Sequence, residues 1–125
     1  MASGSTIITI QVNTTIDGVN RSIPAVSTTI THTAVGFIMG TVATSDTAAA
    51  IPQGGVTPEY AVFSNLSSTS GEYIDIMNDT AVLTRIDPGR TVALDVSQVA
   101  TPASNLKAKA ATGKTPVLSY YITAN

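Results

Sequence analysis

Between Tyr73 and Ile122 the chain repeats one pattern: a short run of alternating apolar and polar residues, then a cluster of turn formers. EYIDIM (Glu72 to Met77) is followed by Asn78-Asp79, and Ala81 to Ile86 by Asp87-Pro88-Gly89. RTVALDV (Arg90 to Val96), LKAKA (Leu106 to Ala110) and PVLSYYI (Pro116 to Ile122) complete the series. Alternation puts successive side chains on opposite faces of an extended backbone, so each run reads as a half-covered strand. Short runs spaced by turns at this interval predict an all-β fold, an antiparallel β-sandwich or jelly roll. We expect eight to nine strands and no substantial helix. We expect one domain over residues 1–125, with 1–5 a flexible N-terminal arm.

The first half carries the same signals less regularly. Thr, Val and Ile dominate its ordered-looking segments, and β-branched side chains fit a pleated surface better than a helix. In residues 6–13, Ile8, Ile10 and Val12 alternate with Thr9, Gln11 and Asn13, which predicts that the three aliphatics are buried. Asp17-Gly18 is a turn signal. Pro24 lacks the N–H a ladder needs, so 19–31 is an edge strand or is broken there. In residues 33–44 alternation fails: Val35, Phe37 and Met39 lie on one face, Ile38 and Val42 on the other. A central strand between two layers reads this way, and so does a strand at a subunit interface. Gly36 and Gly40 mark bulges or close approaches. Residues 45–56 read as a contact loop, with one helical turn over Ala48 to Ala50 capped by Ser45 or Asp46. Pro58 to Leu66 reads as a further strand.

Composition narrows the function. Only 11% of residues are charged and the net charge is −2, which lacks the basic footprint of a nucleic-acid binder. There is no cysteine, hence no disulfide and no thiolate metal site. The N-terminal stretch lacks a charged leader followed by an apolar core, so no signal peptide is expected, and the broken apolar runs predict no membrane span. Four Asn-X-Ser/Thr triplets, at Asn13, Asn20, Asn65 and Asn78, follow from the abundance of Ser and Thr and are read as unmodified.

No catalytic constellation stands out, and no catalytic residue, cofactor or metal is expected. His32, the single histidine, has no nucleophile at a diagnostic spacing and reads as a surface or strand residue. Asp75, Asn78 and Asp79 offer three oxygen ligands in five residues, but turn formation explains the latter two more simply than calcium. Tyr120 and Tyr121 are adjacent and must face opposite sides of a strand. At most one of them can join Tyr60 and Tyr73 in a sugar-stacking platform.

The order FSN (Phe63 to Asn65), EYIDI (Glu72 to Ile76), RIDPGRTVALDV (Arg85 to Val96), LKAKA and VLSYYIT (Val117 to Thr123) resembles small virion proteins of tailed bacteriophages. The resemblance covers residues 60–123. It implies a capsid cement or decoration subunit: non-enzymatic, on the capsid exterior, bound to the major capsid protein and commonly trimeric. On this reading Val35, Phe37, Ile38, Met39 and Val42 contribute to a homotrimer interface. The alternative is a carbohydrate- or receptor-binding β-module of a tail fibre or adhesin.

Overall fold

The computed structural model describes residues 4–20, 22–32, 37–52, 58–96 and 106–124. The fold is all-β, with nine strands of five residues or more, three two-residue strands and, among the described residues, no helix. The chain forms two compact units, Met1–Gly36 and Phe37–Asn125.

The larger unit holds eight strands: β5 (Phe37–Ala43), β6 (Ala49–Ala50), β7 (Pro58–Asn65), β8 (Ile74–Asn78), β9 (Ala81–Ile86), β10 (Thr91–Asp95), β11 (Leu106–Ala110) and β12 (Val117–Ala124). Their antiparallel pairing is nested: β8 with β9, β7 with β10, β6 with β11, and β5 with β12. Further pairings, β12 with β7 and β11 with β8, close two four-stranded sheets in the orders β10-β7-β12-β5 and β6-β11-β8-β9. A ribbon folded on itself in this way and split into two packed sheets is a jelly roll.

Alternation decides what lies between the sheets. Ala61, Phe63, Leu118 and Ile122 face inward from one sheet, and Ile74, Ile76, Leu106 and Ala108 from the other, all at most 4% exposed. Ile38, Val42, Val92 and Leu94 pack against this core from the strands at the sheet edges. The expected turns are present. Asp87-Pro88-Gly89-Arg90 closes with Arg90 N–H donating to the Asp87 carbonyl at 3.1 Å. Gly89 has φ +74°, the left-handed value a type II turn requires after proline.

Two expectations for the larger unit are corrected. Ala49 and Ala50 form no helical turn; they are strand β6, paired with Ala108 and Lys107. Alanine is a good helix former, but propensity over three residues is small and the ladder bonds β11 offers outweigh it. Residues 37–43 are not a central strand, because β5 lies at the edge of its sheet. Gly40 is explained by a close approach: a Cβ there would stand 2.8 Å from the Tyr120 hydroxyl oxygen. Gly36 and Val35 lie outside the described residues.

The smaller unit is a two-stranded ribbon. β1 (Gly4–Val12) pairs antiparallel with β4 (Ile23–His32), and beyond them β2 (Thr15–Ile16) pairs with β3 (Val19–Asn20). Asp17 and Gly18 link β2 and β3 with φ of 51° and 75°, the pair of positive values that defines a type I′ hairpin turn. The register shifts where Val12 and Ile10 meet Ile23 and Val26, so the extra residue falls at Pro24-Ala25. A bulge is where a strand tolerates proline, as the missing N–H demanded. The expected burial of the first strand fails: Ile10 is 48% exposed, Val12 43%, and Ile8 only half-buried. Alternation assigns a face but cannot supply the layer that covers it, and among the described residues of this unit the β2-β3 pair leaves Ile10 and Val12 exposed.

Candidate functional site

The two outer faces of the jelly roll differ in chemistry. On the sheet β6-β11-β8-β9, Asp75 lies opposite both Arg85 and Lys109, and Met77 opposite Lys107. The Asp75 carboxylate accepts two hydrogen bonds from Arg85, from Nε at 2.8 Å and from Nη2 at 3.0 Å. The hydrogen bonds to Asp75 raise the Arg85 guanidinium above its ordinary pKa, against an opposing effect of desolvation. The Arg85 guanidinium also lies 3.6 Å from the centre of the Tyr73 ring, a cation–π contact. Lys107 pairs with Asp79 at 3.1 Å. This face is charged: Arg85 pairs with Asp75 and Lys107 with Asp79, and Lys109 adds a further cation.

The outer face of the sheet β10-β7-β12-β5 is of another kind. On β5, Phe37 and Met39 point outward and are 51% and 64% exposed. The register sets Met39 beside Tyr121 and Tyr121 beside Val62; Phe37 lies beside Thr123, and Thr123 beside Tyr60. The Phe37 and Tyr121 rings stack with centroids 5.4 Å apart and planes 13° from parallel. Offset stacking of this kind holds both side chains in a defined place. The β5 backbone pairs with β12 on one side and, among the described residues, with no strand on the other. Phe-Ile-Met-Gly-Thr-Val-Ala holds no charge and no proline, the usual devices that blunt a free edge. Other edges are protected: β6 is two residues long, β9 carries Arg85 and a register shift, and β10 ends in Asp95.

The structure therefore divides the five residues expected at an interface. Phe37 and Met39 face outward, Ile38 and Val42 pack on the core, and Val35 lies outside the described residues. Sequence reasoning missed Tyr121 as the partner of Phe37. The adjacency of two tyrosines showed that one must face out, but only the β5–β12 pairing shows what it meets.

The other chemistry-bearing residues are dispersed. His32 is in β4, opposite Gly4 in the ladder. Asp75 and Asp79 are engaged with Arg85 and Lys107, and Asp79 has the left-handed φ of 53° expected of a turn residue. Asn78 Oδ1 is buried without a hydrogen-bond partner. Among the described residues no three His, Cys, Asp or Glu come together as metal ligands. Tyr120 is in the core, Tyr73 lies against Arg85, and only Tyr60 and Tyr121 share an outer face. Comparison with protein-family models, characterised proteins and solved structures finds no match for this chain.

Proposed function

We propose that this chain is a non-catalytic virion structural protein, a capsid cement or decoration subunit that binds the major capsid protein and stabilises the shell from outside. The observation that carries the reading is the contrast between the outer faces of the jelly roll. One face carries two ion pairs and a further lysine; the other presents Phe37, Met39 and Tyr121 beside an uncharged edge strand. The centres of protein interfaces are rich in aromatics and Met and poor in charge. An uncharged strand also escapes the desolvation cost of burying ions. Left open, such an edge invites unlimited pairing, whereas a closed ring hides it without making fibres. We take that ring to be a homotrimer, as the resemblance to phage decoration subunits implies.

The test combines light scattering on the isolated protein with co-sedimentation on capsids. The wild type is expected to be oligomeric at micromolar concentration and to protect shells against heat. Phe37→Ser with Met39→Ser should abolish one or both behaviours. These side chains are half or more exposed, so stability should change by no more than about 0.5 kcal/mol. A monomeric wild type that ignores capsids sinks the proposal.

One observation favours a second reading, a carbohydrate- or receptor-binding β-module. Phe37 and Tyr121 form a stacked, partly exposed aromatic pair on a sheet face, as sugar-stacking surfaces do. A glycan array signal lost on Tyr121→Ala, without loss of fold, selects that reading over the first.

A further inference from the structure

A second feature lies at one end of the jelly roll, between the 66–72 segment and the start of β12. There a groove of about 370 Å³ is lined by Leu66, Ser67, Glu72, Thr115, Pro116 and Val117. Leu66, Pro116 and Val117 form the apolar part of its lining, Ser67 and Thr115 are polar, and its single charged group is the Glu72 carboxylate; no cation is among its lining residues.

The groove is preformed. Leu66 N–H donates to the Val117 carbonyl at 3.0 Å and ties the two walls together. The buried Asn65 side chain accepts from Ser67 N–H at 3.0 Å and donates to the Glu72 carbonyl at 2.7 Å, which fixes both ends of the loop. Ser67 Oγ donates to Glu72 Oε2 at 2.5 Å and itself accepts from Thr69 N–H at 3.1 Å. The carboxylate is thereby aimed, with acceptor positions to spare, since an ionised carboxylate can accept about four hydrogen bonds. Leu66 is 56% exposed although its backbone is tied down, and Val117 is 39% exposed. Nothing in the fold requires these two aliphatic side chains to stand open beside one fixed negative charge.

We infer that this groove binds the side chain of an arginine presented by a partner protein. An arginine has the two properties the site complements. Its aliphatic stem covers apolar surface, here Leu66, Pro116 and Val117, while its head stays polar. Its planar guanidinium meets a carboxylate with two parallel hydrogen bonds, which a lysine cannot do. The partner is thus a protein segment carrying an exposed arginine.

The experiment is a titration of the isotope-labelled full chain, followed by NMR, with N-acetyl-arginine amide and with its neutral isostere N-acetyl-citrulline amide. The arginine compound should shift the amide signals of Leu66, Ser67, Glu72 and Val117, with Kd on the order of 1–10 mM, as expected for one charge-assisted contact with little apolar area. Added salt should weaken it. Glu72→Gln keeps an oxygen for Ser67 to bond, so it should leave the spectrum folded and lower the affinity by a factor of ten or more. Leu66→Ser should weaken binding less. Equal shifts with citrulline, unchanged affinity in Glu72→Gln, or shifts scattered away from the groove overturn the inference. The readout is binding by the isolated chain, so neither oligomeric state nor capsids enter it.

Discussion

Asn65 joins three segments with one buried amide. Its Nδ2 donates to the carbonyls of Glu72 and Ile86, its Oδ1 accepts from Ser67 N–H, and its backbone bonds Gly89 and Arg90. Asn65→Ala leaves two carbonyls and an N–H without that partner in or near the core. We expect a loss of about 2–4 kcal/mol, read from denaturant unfolding; a loss below about 0.5 kcal/mol would show that water replaces the amide freely. Gly89 makes the opposite kind of demand, conformational rather than chemical. Gly89→Val forces a β-branched residue to φ +74° and should cost about 1 kcal/mol or more, measured the same way. Gly40→Ala sets a methyl group 2.8 Å from the Tyr120 hydroxyl oxygen, in a ring only 8% exposed. Overpacking of this kind costs about 1–3 kcal/mol, and Tyr120→Phe in the same chain should recover part of it. An additive double mutant would remove the contact from the account. The three residues were unequally legible in the sequence. Pro88-Gly89 announces its turn locally. Gly40 announced a close approach but not its partner, which lies near the other end of the chain. Asn65 stood in one of four Asn-X-Ser/Thr triplets read as unmodified, and its role exists only once Glu72 and Ile86 are folded around it.

At the scale of elements, period and turn chemistry carried most of the strands after Pro58, because each is bounded by residues with one strong conformational preference. The errors share a cause. Ala48 to Ala50 obeyed helix propensity in isolation, yet a ladder partner from β11 made two of them a strand. Ile8, Ile10 and Val12 obeyed alternation, yet their ribbon has no covering layer of its own. The candidate interface was half legible for the same reason. Alternation separated Phe37 and Met39 from Ile38 and Val42, but which pair faced the core depended on the sheet order. A two-stranded ribbon is marginal by itself in water. Residues 1–36 as a peptide should therefore show little β signal by circular dichroism, whereas residues 37–125 should fold alone, since every member of the hydrophobic core lies within them. Failure of 37–125 to give dispersed amide signals by NMR would refute that division.

In the whole molecule, nested pairing brings distant segments together, so β5 cannot bond to β12 until nearly all of the roll has been threaded. Such non-local topology slows folding, and we expect refolding in the millisecond-to-second range from stopped-flow fluorescence of the tyrosines. Phe37 and Thr123, one at each end of the roll's sequence, lie opposite each other in one ladder, while Val117 lies opposite Ala43 at the far end of the same pair. The consequence is mechanical. Tension applied between Phe37 and Thr123 loads one rung at a time and peels β5 away like a zipper. Tension between Phe37 and Val117 strains every rung of the pair together, in shear. Single-molecule pulling should therefore find the first attachment yielding at markedly lower force than the second. A load entering by the N-terminal ribbon and leaving by the end of β12 meets the β5–β12 pair along the peeling direction, the weaker of the two.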